Sequence, residues 1–443
     1  MKHRRAIRLA SLFAVFLVAS CAHHQPVLTA GTVDSSLLRR TFENGLDIAA
    51  AYRLSDLDLR RFTHKDLWTA LDKPLTSSRF RVRMEGESLL GRQISTITAG
   101  TGETTILLWS QMHGDESTAT MALADIINYF SDPSPDPFRD DLLDRLTIIM
   151  IPMLNPDGAQ LFQRRNAVGI DINRDARRQA TPEARLLKAV QERVQPQFGF
   201  NLHDQNPHTY AGRSGNRAAM ALLAPAADME RSWGPVRTRA RQVASIIAEV
   251  LQNELPGHIA RYGDAFNPRA FGDLMQQWGT STVLIESGVL DDDPEKQKLR
   301  AMNVAALLTA FDAIARSTYL DADTLAYEGL PQNRGFSHDL LVRGGLLVLG
   351  NAEPMPVDLA FAYSNAVADT GLTLTEAGDL DEAGAHEIFD ATGLYLHLEP
   401  SMVSQEGGEE YLLIGAAAFL TIRRGRDSGS EIVKVIGLLP PER

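Results

Sequence analysis

Four short apolar runs, Thr105–Trp109, Leu146–Ile151, Phe198–Leu202 and Ser281–Ile285, alternate along the chain with stretches whose apolar residues recur at helical spacing. The helical stretches are Ala119–Phe130, Pro182–Val194, Arg237–Leu251 and Leu299–Ala315. Runs that are apolar throughout belong to strands buried on both faces, and such strands need helices to cover them. The order predicts an α/β fold with a mixed, mostly buried sheet and helices on both faces. Two strand patterns, Phe80–Met84 and Gln93–Ile97, precede the first run, and a helical pattern runs from Leu57 to Leu71.

After about Tyr319 the texture changes. Gly329-Leu-Pro-Gln-Asn-Arg334 reads as a linker, followed by short strand patterns at Asp339–Leu349, Val357–Ala362, Tyr411–Gly415 and Ile432–Ile436. Glycine and proline punctuate them, which predicts a small β-rich C-terminal domain. The expected layout is a targeting segment over 1–20, an N-terminal segment over 21–79, an α/β domain over 80–318, a linker over 319–335 and the β-rich domain over 336–443.

The N-terminus carries Lys2, Arg4, Arg5 and Arg8, then an apolar core from Leu9 to Val18, then Val18-Ala19-Ser20-Cys21. This is the pattern of a secretory signal, and its ending looks like a bacterial lipoprotein signal with lipidation at Cys21. The expected location is the bacterial cell envelope, lipid-anchored to the membrane through Cys21 and facing the periplasm. Cys21 is the only cysteine, so no intramolecular disulfide can form. Removal of residues 1–20 takes away four basic residues and no acidic one, which moves the formal charge from -12 to -16. Phosphate binding needs clustered Lys and Arg, so the balance argues against nucleic acid as a partner.

The chemistry concentrates in two words, His113-Gly-Asp-Glu116 and Asp171-Ile-Asn-Arg174, with a later His203 and Glu286. A histidine and a glutamate three residues apart can bind one metal ion from a single turn. A distant histidine completes a three-ligand site with one position left for water. His113, the turn Asn155-Pro-Asp-Gly158, His203 and Glu286 each follow the end of an apolar run. In open α/β sheets that is where ligands bind.

Together with the series Arg164 to Arg174 and the pairs Leu202-His203 and Ile285-Glu286, these motifs resemble the zinc carboxypeptidase family over about residues 80 to 315. The resemblance implies one zinc ion held by His113, Glu116 and His203, with Asp171 accepting the other imidazole proton of His113. It implies Glu286 as general base and Arg164, with Arg165 as its rival, as the group that holds the tetrahedral oxyanion. Asn173 and Arg174 would grip the terminal carboxylate of a peptide, and Tyr262 would close over it. Asp115 and Asp175 stand where arginine and asparagine are usual in the family, so substrate preference does not follow.

The leading expectation is a metallocarboxypeptidase acting on peptides with a free C-terminal carboxylate, cell-wall peptides among them. A zinc-dependent deacylase of N-acyl amino acids is the alternative enzyme. A lipoprotein that binds peptide termini without catalysis is the alternative outside enzymes.

Overall fold

The computed structural model describes residues 33–335, 338–365, 370–381, 383–406 and 409–437. The targeting segment with Cys21 lies outside the described residues. No helix of the described residues is long and apolar enough to cross a membrane.

The first strands are β1 (Phe80–Glu87), β2 (Gln93–Ala99), β3 (Thr104–Ser110), β4 (Leu146–Ile151), β5 (Phe198–Asp204), the short β6 (Thr209–Ala211), β7 (Met220–Leu223), β8 (Ile259–Arg261) and β9 (Ser281–Ser287). All but β6 join one eight-stranded sheet in the order β1-β2-β4-β3-β5-β9-β7-β8. The central strands β4, β3, β5 and β9 run parallel. The pairs β1/β2, β2/β4 and β7/β9 are antiparallel, which makes the sheet mixed.

The helices are α1 (Ser35–Tyr52), α2 (His64–Leu71), α3 (Thr118–Ser131), α4 (Pro137–Arg145), α5 (Pro156–Leu161), α6 (Pro182–Val194), α7 (Pro235–Glu254), α8 (Phe271–Gln277) and α9 (Gln297–Ala315). Successive residues of the central strands point to opposite faces, and both faces are covered. Ile106, Leu108 and Phe200 share one core with Phe42 of α1, Ile126 of α3, Ile247 of α7 and Phe311 of α9. Leu107, Trp109 and Ile151 share the other with Leu187 of α6 and Phe271 and Met275 of α8. Each fully buried large apolar side chain stabilises the fold by roughly 1.5–3 kcal/mol. This two-sided burial is why the runs carry no polar alternation.

The helix expected from Leu57 to Leu71 is shorter, and α2 begins only at His64. Thr63 caps it, since the Asp66 carboxylate accepts the Thr63 N–H at 2.8 Å while the Thr63 hydroxyl accepts the Asp66 N–H at 3.3 Å. That reciprocal box fixes Thr63 outside the helix. The carbonyls of Leu54 and Leu57 instead accept from Arg300 of α9, which pairs with Asp125 of α3 at 2.5 Å. The N-terminal segment is thus fastened to the sheet-covering helices. Helix α1 lies so close to α9 that a side chain at Gly45 would meet the Ala305 Cα at 2.7 Å.

The remaining strands are β10 (Asn333–Gly335), β11 (His338–Val348), β12 (Met355–Asn365), β13 (Thr370–Gly378), β14 (Ala385–Asp390), β15 (Tyr395–Leu398), β16 (Val403–Glu406), β17 (Glu409–Leu412), β18 (Leu420–Arg423) and β19 (Ile432–Ile436). Seven of them form a second sheet around Val342, Leu359, Phe361, Leu396 and Leu420. Strand β10 pairs with β6, just after the end of β5. Beside it His208 Nδ1 lies 3.0 Å from the buried Asp339 carboxylate of β11, and the Tyr210 and His386 rings stack at 5.1 Å.

Candidate metal centre and adjoining pocket

The parallel register of β5 and β9 sets His203 directly beside Glu286. Past the end of β3 the chain turns sharply at Gln111, whose φ of 49° lies in the left-handed region. The Gln111 side-chain amide donates to the Gly114 carbonyl at 2.9 Å and braces the turn that carries His113. Gly114 packs against the Asn155–Gly158 turn so closely that a Cβ would stand 2.0 Å from the Gly158 carbonyl carbon. The missing side chain of Gly114 therefore lets the two turns meet backbone to backbone.

This arrangement brings His113, Glu116 and His203 together as a buried group able to hold a metal ion. His113 Nδ1 lies 2.7 Å from Glu116 Oε1, and His203 Nδ1 lies 2.6 Å from Glu116 Oε2. The two Nδ1 atoms are 3.2 Å apart. Two nitrogens bound tetrahedrally to one ion at about 2.0–2.1 Å would stand about 3.3 Å apart. Nε2 of His113 is 3.0 Å from Asp171 Oδ1, so a proton there leaves the Nδ1 lone pair facing the other donors. The buried Nε2 of His203 has no such partner. Two imidazole nitrogens and a carboxylate converging at these distances call for a cation, and the donor set suits zinc.

The electrostatics agree. Burial alone would lower the His113 imidazole, but the Glu116 and Asp171 carboxylates overcome it and hold it at about 9. Burial would raise Glu116, yet the two histidines hold it well below the usual carboxylate range. For His203 burial prevails and favours the neutral ring. Glu286 is buried with its carboxylate outside any hydrogen bond among the described residues. Burial, helped by the nearby Glu116 carboxylate, raises it.

Arg164 reaches the centre while Arg165 turns away. Arg164 donates to Asp171 Oδ2 at 3.0 and 3.2 Å and to Glu116 Oε1 at 3.1 Å. Arg165 donates to the Gly169 carbonyl on the surface. Asp171 caps the short turn Ile172–Arg174 by accepting the Asn173 N–H at 2.9 Å. The Asn173 side-chain oxygen accepts from the Phe271 N–H, which leaves its amide nitrogen for a ligand. Asn173, Arg174, Tyr262 and Glu286 line one cavity of about 280 Å³ beside the three donors. The Tyr262 ring is half exposed at its rim, and burial with the Glu286 and Glu116 charges raises its hydroxyl.

Two side chains at this site escaped the sequence reading. Asp273 of α8 lines the cavity and is pushed up to about 6 by burial. Lys296 is buried against Asp204, the neighbour of His203, at 2.9 Å. The one signal for Asp273 was a carboxylate inside the apolar stretch Phe271–Met275, and Lys296 gave none.

Residues 71–233 match the family model described as zinc carboxypeptidase. Over these residues the chain is similar to the zinc carboxypeptidases. Carboxypeptidase 2 of Trichophyton tonsurans is 27% identical over 99 residues, 22% of this chain and 18% of that protein. Carboxypeptidase SOL1 of Arabidopsis thaliana is 34% identical over 65 residues, 14% of this chain and 13% of that protein. The chain thus spans less than a fifth of the length of these curated relatives. Among solved structures, a metallo-carboxypeptidase from Burkholderia cenocepacia aligns with 59% of this chain and 71% of its own, at 18% identity and a TM-score of 0.47. Carboxypeptidase A from Helicoverpa armigera aligns with 63% of this chain and 81% of its own, at 14% identity and a TM-score of 0.47. The zinc carboxypeptidase match contains His113, Glu116, Arg164, Asp171 and His203 and ends before Tyr262 and Glu286.

Proposed function

We propose that the protein is a zinc metallocarboxypeptidase that hydrolyses the C-terminal amide bond of peptides. The observation that carries this reading is the pocket itself, where a buried three-donor cluster adjoins an unpaired buried carboxylate, Glu286, and a carboxylate grip, Asn173 and Arg174. One ion held by His113, Glu116 and His203 would polarise the scissile carbonyl and acidify the attacking water. Glu286 takes a proton from that water as the water oxygen bonds to the carbonyl carbon. It delivers the proton to the nitrogen as the C–N bond breaks, so that a peptide acid and a free amino acid leave.

The amide nitrogen of Asn173 and the planar fork of Arg174 hold the terminal carboxylate, which favours cleavage at a chain end. Arg164 supplies positive charge at the developing oxyanion. Tyr262, at the rim, closes over the bound residue. The N-terminal pattern supports export and lipidation at Cys21 in a bacterial envelope, where cell-wall peptides are candidate substrates.

The test is mass spectrometry of free-ended peptides, muropeptides and N-acyl amino acids incubated with the zinc-loaded protein lacking residues 1–21, beside its Glu286→Gln variant. Release of a single C-terminal residue by the unaltered protein alone is the expected result. Cleavage of N-acyl amino acids only would move the assignment to a deacylase. Peptides bound but returned intact would make the protein a binder of peptide termini.

A further inference from the structure

On the other side of Arg174 lies a second and larger cavity, of about 1000 Å³, walled by Arg165, Arg174, Arg177, Arg178 and Arg269. Two loops build it. The Ala176 N–H donates to the Arg269 carbonyl at 3.1 Å, which ties the turn after Arg174 to the segment before α8. Arg165, Arg174 and Arg269 donate only to backbone carbonyls, of Gly169, Asn173 and Arg174 respectively. Arg177 and Arg178 are exposed and make no hydrogen bond or ion pair among the described residues.

The two carboxylates in the wall are already engaged. Asp171 serves His113 and Arg164, and Asp175 accepts from the Ala180 and Thr181 backbone and the Thr181 hydroxyl. Five guanidinium groups, none of them in an ion pair among the described residues, therefore share one concavity with a single carboxylate not paired to a cation, that of Asp175, in a chain of net charge -12. Such clustering raises the free energy of the empty protein, and a multivalent anion relieves it. Planar forks are suited to carboxylates.

We propose that this arginine cleft binds further carboxylates of the peptide whose terminal carboxylate is held at Arg174, so that the preferred substrates are acidic at their C-terminal end. The proposal rests on the peptidase reading for the identity of the ligand. Arg174 borders both cavities, so a chain end seated beside Glu286 brings its acidic groups to the cleft. That continuity favours a peptide over an anionic membrane surface, which would need the arginines on a convex face.

The experiment measures binding by fluorescence anisotropy to zinc-loaded Glu286→Gln protein, so that no peptide is consumed. Two probes of equal length end in Glu-Glu or Gln-Gln. The acidic probe is expected to bind at least tenfold more tightly, with the ratio falling as salt screens the cleft. The double variant Arg177→Gln/Arg178→Gln, in the same background, is expected to bring the ratio close to one. Lys298→Gln, which removes a like charge from an exposed site elsewhere, is expected to leave it. Equal binding of the two probes, or a ratio that survives the double variant, would overturn the proposal. So would arginine-dependent binding to phosphatidylglycerol vesicles without preference between the peptides. An intact preference in a protein that cleaves no peptide would retain the cleft and discard the peptidase reading.

Discussion

Asp171 stands 3.0 Å from Nε2 of His113, on the side of the imidazole ring away from Glu116 and His203. Its other oxygen accepts the Arg164 guanidinium, so one carboxylate orients both a ring of the candidate metal cluster and a cation of the pocket. Asp171→Asn keeps the shape and removes the charge. Metal affinity is expected to fall about 10- to 100-fold, as for other partners of ligating histidines. Competition with a chromophoric zinc chelator measures it, and unchanged affinity would make Asp171 only a cap for the turn Ile172–Arg174.

Gly114→Ala introduces a Cβ at 2.0 Å from the Gly158 carbonyl carbon, where backbone meets backbone. The turn carrying His113 must shift away from the Asn155–Gly158 turn, and overpacking of this kind costs about 1–3 kcal/mol or more. The expected outcome is a folded protein of lower stability with zinc binding impaired beyond the loss in stability. Denaturant melts with and without zinc separate the two effects. A variant that gains as much stability from zinc as the parent does would refute this coupling.

Asp273 gives a pH dependence of known sign. Its folded carboxyl is raised from 3.8 to about 6, with burial as the main cause. The protonated form is therefore favoured in the fold. The stabilisation it provides relative to the ionised form is fully present below pH 3.8 and is lost as pH rises through about 6. The difference is on the order of 3 kcal/mol at most. Asp273→Asn retains an oxygen for the Asn267 N–H and is expected to be more stable than the parent at pH 7, with no difference at pH 4. Urea unfolding at a series of pH values checks it. Parallel curves for the two proteins would count against the burial argument.

The Arg300–Asp125 pair, 2% exposed on each side, also holds the Leu54 and Leu57 carbonyls. Arg300→Met leaves a buried carboxylate without its cation, which is expected to destabilise the protein by about 3–5 kcal/mol. Adding Asp125→Leu should recover much of the loss. Guanidinium melts of the single and double variants test this, and additive losses would show that the pair itself is not the cause.

The parts of this molecule most legible in its sequence are those buried on both faces. Leu146–Ile151 coincides with β4 and Pro182–Val194 with α6 because uninterrupted burial and regular helical spacing each leave a periodic trace. His113, His203 and Glu286 stood out because strand ends deliver them, and Glu116 because it lies three residues from His113. The structure gathers His113, Glu116 and His203 in one cluster and places Glu286 in the pocket that His113 and Glu116 line. The short strands β6, β7 and β8 left no readable trace, since three or four residues carry too little periodicity. The helical spacing at Leu57 misled because Leu57 and Leu67 are both buried on different short elements. The arginine cleft was invisible, since it joins residues near 165, 177 and 269 that only the fold brings together.

The contact between His208 and Asp339 joins residues 131 positions apart. A ribosome makes the loop after His203 long before it makes the strand that secures it. Until β10 and β11 emerge, that loop has neither its strand partner nor its buried carboxylate. The order of synthesis thus delays completion of the pocket wall until the last quarter of the chain is present, and a product cut short there would carry every proposed metal ligand beside an unfastened loop.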